Sequence, residues 1–522
     1  MSMEKDLPVK LSDGAVVLVD HLLPDGPGPA ARVVVWIRSP YGRVSLRGLA
    51  KRFTQAGAHV LIEAMRGTDG SGGRVDGFHY DPADAADMAA WLRGQSWFPG
   101  VIVTWGISAI GYAGVVPAVA GVPEWRLAVL QDSCLSLRSV VYPGEAFAAK
   151  TMLGGLASLD LAIRRPGAGF VRGLVVSLRA VRKANKILTR LPLGTADARL
   201  VGHPVDCWRQ WLANEQPGPY WQERDLGPHV DAMPPLVHLA TGWYDLNLAS
   251  TLDAYATLRA AGKRVRLVIG PWYHGRGAMD PDYRTDVDAW ITAAADPTAP
   301  GPASLTPVRV HVGGVDEWRE LPDWPPPGIT TAEWHLHPDG RLATEPAPDG
   351  APAQRYRYDP TKPTPAIGGA MENFDGKAGP KDNRRLEQRP DVLTYTSDPL
   401  AADVETIGPT SATITVQASS EHLDVFVRLC DVHPDGRSIN ICDGIQRLRA
   451  PGTWPRTVTV DLAGLAHKFS VGHRIRVQVS SGAHPRFARN TGTGQPLATA
   501  SVLHPVDVQI GHPSRILLPV TR

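Results

Sequence analysis

The hydrophobic pattern changes twice along the chain. In the first part, short runs that are apolar at nearly every position alternate with segments of helical periodicity. The runs are Ala31–Ile37, His59–Glu63, Val101–Ile107 and Trp125–Leu130, all rich in Val, Ile and Leu. Strands apolar on both faces belong to a parallel sheet covered on both sides. Between them, residues 46–56 are patterned as a helix closed by Gly57. Residues 81–97 are opened by Asp81-Pro82 and carry Ala86, Met88, Ala89, Trp91 and Leu92, a second helical pattern. Ahead of these, Val9–Leu11 and Ala15–Val19 flank Asp13-Gly14, the signature of a hairpin.

From 139 to 232 helical periodicity dominates and no buried strand is predicted. The strand–helix rhythm resumes with Pro235–Ala240, a helix over 249–261 and the strand Val265–Ile269. After residue 328 the pattern alternates in short runs: Thr413–Gln417, His422–Leu429, Thr457–Asp461 and Arg474–Val479. Pro434-Asp-Gly-Arg437 and Ala466-His-Lys468 are read as turns between them. The predicted architecture is therefore an α/β core built from 1–138 and 233–327, a helical cap over 139–232, and a β-sandwich of jelly-roll type over 328–522.

Composition narrows the function. At 522 residues the chain exceeds what one hydrophobic core supports. With 43% hydrophobic and 20% charged residues it is globular. A net charge of +2 argues against nucleic acid as a partner. The chain starts on polar residues, and no apolar run reaches membrane-spanning length, so a soluble cytoplasmic protein with no membrane partner is expected. A homo-oligomer is compatible with the sequence. Four cysteines do not form a disulfide framework. Cys430 and Cys442 flank a hairpin signal, but buried free thiols are the favoured reading. The basic face of residues 171–190 (Arg172, Arg179, Arg182, Lys183, Lys186, Arg190) is read as a solvated cap surface. The glycine-rich loop Arg66–Gly73 lacks the Lys-Ser/Thr of a phosphate loop and is read as a tight structural turn.

The chemistry concentrates in Gly106-Ile-Ser-Ala-Ile-Gly111, which runs from strand through a sharp turn into helix. A serine in such a turn stands exposed above the carboxyl end of a parallel sheet. Alone, Ser108 reads as a turn serine. Two further residues change that: Asp245 and His274 each follow a buried strand, and catalytic groups of open α/β sheets gather at that edge. The chain order Ser108, Asp245, His274 is that of the α/β-hydrolase triad. A serine hydroxyl needs an imidazole to accept its proton, and the imidazole needs a carboxylate to hold its tautomer. The backbone N–H of Ala109 and the hydroxyl of Tyr41, in a Pro-Tyr-Gly turn after the first long strand, are the candidates for the oxyanion hole. Tyr142, Trp243 and Asn247 are expected to line the substrate pocket.

These motifs resemble the cocaine esterase/X-Pro dipeptidyl-peptidase group of serine hydrolases. The resemblance extends over Arg38-Ser-Pro-Tyr41, Arg66–Gly73, Gly106–Gly111, Gly242-Trp-Tyr-Asp245, Gly270-Pro-Trp-Tyr-His274, Asp316-Glu-Trp-Arg319, Asp435-Gly-Arg437 and Gly472-His-Arg474. It implies an α/β-hydrolase core with an inserted helical cap and a C-terminal jelly roll. It also implies Ser108 as nucleophile, His274 as base, Asp245 as its partner, Tyr41 and Ala109 as oxyanion donors, and no cofactor or metal. The chain departs from the group in four ways. Ala109 stands where members often carry Tyr. The early cap has Tyr142 and Phe147, without the tryptophan that holds an aromatic acyl group. Leu246-Asn-Leu248 follows Asp245 without the acids that bind a free α-amine. The chain enters strands almost at once, without added N-terminal helices. The expected activity is cleavage of a small-molecule ester, or an amide, through an acyl-enzyme. Acyl transfer or cyclisation from the same acyl-enzyme, dipeptidyl-peptidase activity, and a non-catalytic binding role are the alternatives.

Overall fold

A computed structural model of the chain describes residues 2–167, 170–296, 306–372, 376–449 and 452–521. Ten strands form one sheet: β1 (Met3–Lys10), β2 (Val16–Leu22), β3 (Val34–Ser39), β4 (His59–Ala64), β5 (Ile102–Ile107), β6 (Trp125–Gln131), β7 (Leu236–Tyr244), β8 (Arg264–Tyr273), β9 (Val308–Val312) and β10 (Glu317–Leu321). Their spatial order is β1-β2-β4-β3-β5-β6-β7-β8-β9-β10. From β4 to β9 every pairing is parallel, while the two edges are antiparallel. The continuous apolar runs explain this: Val34, Val35, Trp36 and Ile37 of β3 are all fully buried, because helices cover both faces of the sheet.

The helix predicted over 81–97 is shorter, Pro82–Arg93, and its Asp81 side chain accepts the Ala83 N–H as an N-cap. Strands β7 and β8 run further than their apolar cores suggest, as far as Tyr244 and Tyr273. They continue because Gly242 lets the two backbones touch; a Cβ there would lie 2.1 Å from the Trp272 carbonyl oxygen. This extension delivers Asp245 and His274 to the same sheet edge.

Between β6 and β7 the chain is helical, with its longest helices at Ala149–Arg164 and Phe170–Ile187. Arg179, Arg182, Lys183, Lys186 and Arg190 are exposed, a solvated face; the side chain of Arg172 lies outside the described residues. In the glycine-rich loop, Ser71 Oγ donates to the Ala64 carbonyl and accepts the Leu18 N–H, so the loop is bonded to the sheet.

The C-terminal part is a β-sandwich. One sheet contains β11 (Thr330–Leu336), β12 (Leu342–Ala343), β13 (Gln354–Tyr358), β15 (Val404–Ala418), β18 (Arg456–Phe469) and β20 (Val506–Val520). The other contains β14 (Leu393–Thr396), β16 (Leu423–Val432), β17 (Ser438–Leu448) and β19 (Arg474–Ser480). Their inner faces share a core that includes Ile414, Val427, Leu429, Val460, Val477 and Ile516. The turn expected at Ala466–Lys468 is absent: β18 passes straight through it. The strand instead bends at Ala463, with φ of 63°, where the register against β15 shifts. A bulge of this kind bends a strand without ending it. All four cysteines are buried free thiols.

Candidate active site

Gly106 leads β5 directly into the turn. Ser108 has φ 59° and ψ −128°, a region that non-glycine residues occupy only under constraint. The constraint is visible. The Ser108 N–H donates to the Gln131 carbonyl at 2.9 Å, and Ser133 Oγ donates to the Ser108 carbonyl at 3.0 Å. The flanking glycines are required by contact. A Cβ on Gly106 would meet the Gly111 nitrogen at 2.4 Å, and one on Gly111 would meet Ser133 Oγ at 2.8 Å. The helix Ala109–Ala113 starts immediately, so the Ala109 N–H is among the first-turn donors without an intrahelical partner.

Asp245 and His274 meet at the ends of β7 and β8. His274 Nδ1 donates to Asp245 Oδ2 at 2.7 Å, leaving Nε2 as the nitrogen that can accept a proton. Asp245 is buried, and its other oxygen accepts the Asn247 N–H at 2.7 Å. The imidazole experiences opposing effects. Burial disfavours its charged form, but the charge and hydrogen bond of Asp245, then the charges of Asp132 and Glu372, outweigh it and raise the pKa to about 9. This exceeds the ordinary histidine range, chiefly because of Asp245 and further because Asp132 and Glu372 stand nearby.

Tyr41 sits in a turn that is tied down on both sides. Its N–H donates to Ser39 Oγ at 3.2 Å, and the next residue but one, Arg43, bonds Asp69, Asp20 and Asp6. Burial, then the charge of Glu372, pushes the phenol well above its ordinary pKa, so it remains a donor.

Ser108, Ala109, His274, Tyr41 and Asn247 all line one cavity, about 600 Å³ out to its mouth. Its walls are mainly apolar: Phe78, Tyr112, Leu137, Val140, Met152, Trp211 and Leu246. That lining suits a small-molecule site. Two expected pocket residues are elsewhere. Tyr142 and Trp243 line a neighbouring cavity between the helical segment and the sandwich. Tyr142 donates its hydroxyl to the Trp211 carbonyl, and Trp243 Nε1 donates to the His311 carbonyl. Both aromatics are thus committed to packing.

Two carboxyl groups went unnoticed in the sequence. Glu372 lies between β13 and β14 of the sandwich, yet lines the Ser108 cavity. Burial raises its pKa to about 7, against the charges of His274 and Lys150. No local pattern marks it, because its neighbour is a loop almost 100 residues away in sequence. Asp132 follows the last residue of β6, the same position relative to its strand that Asp245 and His274 hold, and that was the available signal.

Known proteins match this chain along its whole length. The X-Pro dipeptidyl-peptidase (S15 family) profile matches residues 13–276, just over half of the chain. The chain belongs to the S15 family. The S15 C-terminal counterpart, described as the X-Pro dipeptidyl-peptidase C-terminal non-catalytic domain, matches residues 301–516. Cocaine esterase of Rhodococcus sp. (strain MB1 Bresler) is 29% identical, covering 100% of this chain and 99% of that one. Among solved structures, an α-amino acid ester hydrolase superposes with TM-score 0.83 at 22% identity, covering 100% of this chain and 96% of that one. An aminopeptidase from a marine sediment archaeon, Thaumarchaeota archaeon, gives 0.82 at 21% identity, with the same coverage. The S15 chain described here is accordingly an α/β-hydrolase with a C-terminal β-rich domain, and a serine hydrolase acting on ester or amide bonds. No helix among its described residues is long and apolar enough to cross a membrane.

Proposed function

We propose that Ser108 is the nucleophile of a hydrolase for small-molecule carboxylic esters, with His274 as base, Asp245 as its orienting acid, and Tyr41 and Ala109 as oxyanion donors. The observation that carries this reading is the shared cavity. Ser108, Ala109, Tyr41 and His274 line one apolar space, and Asp245 holds the far nitrogen of the imidazole. His274 Nε2 takes the Ser108 Oγ proton as Oγ attacks the substrate carbonyl carbon. The carbonyl oxygen becomes an oxyanion facing the Tyr41 hydroxyl and the Ala109 N–H. The tetrahedral intermediate collapses, the C–O bond to the leaving group breaks, and His274 returns the proton to the departing alkoxide. Water, deprotonated by the same imidazole, then releases the acid and regenerates Ser108.

The small side chains of Ala109 and Gly155 leave room in the mainly apolar cavity for an apolar acyl group. Four unpaired cysteines suit a reducing, cytoplasmic compartment. A second reading has one observation in its favour. The Glu372 carboxyl lines the cavity and would suit a substrate bearing an amine, as in dipeptidyl-peptidase action. A fluorophosphonate probe with Ser108→Ala as control, followed by p-nitrophenyl esters of graded acyl size against X-Pro p-nitroanilides, tests both. Ester turnover without anilide turnover is expected. Labelling that persists in the Ser108→Ala variant would overturn the assignment.

A further inference from the structure

Asp132 has no part in the chemistry above, yet it is built into the same corner. It is 1% exposed and has φ of 48°. Its backbone is tied at both ends: its N–H donates to the Ala240 carbonyl at 2.7 Å, and its carbonyl accepts Asn247 Nδ2 at 2.6 Å. One carboxyl oxygen, Oδ2, accepts the Gly275 N–H at 2.8 Å and Gln131 Nε2 at 3.0 Å. The other, Oδ1, is buried without a hydrogen-bond partner among the described residues. One carboxyl oxygen of Asp132, one of Asp245 and one ring nitrogen of His274 all lie within 4.8 Å of one another.

A buried carboxylate oxygen with no donor is heavily penalised, and two buried carboxylates this close resist ionising together. Burial, then the Asp245 charge, accordingly holds Asp132 well above the ordinary carboxylate range, against the opposing effects of His274, Gly275 and Gln131. The groups facing it are Asp245 from the end of β7, His274 from the end of β8, Gln131 from β6, and Tyr283, whose own phenol is pushed up partly by Asp132. Glu372 adds a further carboxyl whose charge raises the His274 pKa.

We propose that Asp132 is a positioning residue for His274. It fixes the turn bearing the imidazole through the Gly275 N–H, and holds a second buried carboxyl that supports the imidazolium when Asp245 is lost. The proposal rests on the reading of His274 as the base. While Asp245 is ionised, its repulsion biases Asp132 toward the neutral form. Replacing Asp245 by Asn removes that repulsion while burial remains, so Asp132 ionises more readily and offers a carboxylate near the ring. Losing the acid of a single-acid triad costs about 10⁴ in kcat.

The test is a double-mutant cycle on the full chain, read as kcat/KM on a p-nitrophenyl ester between pH 6 and 9. Asp245→Asn is expected to lose only about 10²-fold at the alkaline end, with residual activity that falls as pH drops and Asp132 protonates. Asp132→Asn keeps an acceptor for Gly275 and is expected to lose about 3- to 10-fold. The double variant is expected to lose at least ten times more than the product of the single losses, and its remaining activity no longer follows the Asp132 ionisation. An Asp245→Asn variant as inactive as the double variant overturns the proposal. So does a double variant equal to the product. Should the double variant not fold, the Asp245→Asn pH profile decides alone: a titrating residual activity supports takeover by Asp132, and a flat one excludes it. A His274→Gln variant with wild-type activity would sink the underlying reading instead, whatever Asp132 does.

Discussion

Two buried imidazole–carboxylate clusters of this molecule have similar hydrogen-bond lengths and different surroundings. At the sheet edge, His274 Nδ1 lies 2.7 Å from Asp245. In the sandwich, buried Asp431 holds His473 Nδ1 at 2.8 Å and His467 Nε2 at 3.1 Å, and the His433 ring lies tilted against His473. Two histidines use both Asp431 oxygens and, against the penalty of burial, hold its carboxyl below the ordinary range. At the sheet edge the balance is reversed: one imidazole stands among three carboxyl groups, and it is the imidazole whose proton affinity rises. A His–Asp bond is therefore not by itself a sign of catalysis. The surplus of carboxyl groups and the serine on a shared cavity distinguish Asp245–His274; Asp431 cross-links strands.

Substitutions at the two pairs should separate accordingly. Ser108→Ala removes the proposed nucleophile and should lower kcat by at least about 10⁴-fold, with the melting curve retained; residual turnover within tenfold of wild type would break the comparison. Tyr41→Phe removes one proposed oxyanion donor and should cost about 10²–10³ in kcat with little change in KM; an effect on KM alone would make Tyr41 a packing residue.

The pH profile sharpens the electrostatic half. A base with a raised pKa stays protonated, and inactive, to higher pH, so activity is lost as pH falls through the raised value. The acid limb of kcat/KM should centre above 6.5 and at or below about 9. Glu372, at about 7, becomes anionic within this limb and stabilises the imidazolium further. Glu372→Gln should therefore shift the limb to lower pH and steepen it, and an unmoved limb would remove Glu372 from the site's electrostatics.

The smallest effect on rate belongs to the sandwich. Asp431→Asn should leave kcat/KM within about threefold while lowering the melting temperature, since a buried charged acceptor for two histidines costs about 1–3 kcal/mol to lose. A large loss of activity with unchanged melting would show that the two pairs are not independent.

Much of this was legible along the chain. Fully apolar runs specify strands of a parallel sheet, because both faces must be covered. Glycines at 106 and 111 specify the serine turn, because backbone and Ser133 leave no room for a Cβ. Asp245 and His274 could be placed at one edge because residues after parallel strands share that edge. Those are local requirements, carried by neighbouring residues. Tyr142 and Trp243 line the neighbouring cavity because which aromatic faces which cavity depends on how the helices pack against the sandwich, and a hydrogen bond such as Tyr142 to Trp211 spans 69 residues. The bend at Ala463 was misplaced by three residues for a similar reason: its register is set by β15 across the sheet.

The sequence alone determined the order of strands and helices, the serine turn and the identities of the groups at the sheet edge. Only the tertiary structure decided what surrounds them. Asp132 acquires meaning from the Gly275 N–H and from Asp245, and Glu372 from a cavity formed by residues of all three parts of the chain. The reason is physical: backbone conformation is governed by neighbours in sequence, whereas the protonation of a buried group is governed by charge and solvent exclusion within a few ångströms, and those neighbours are assembled only by folding.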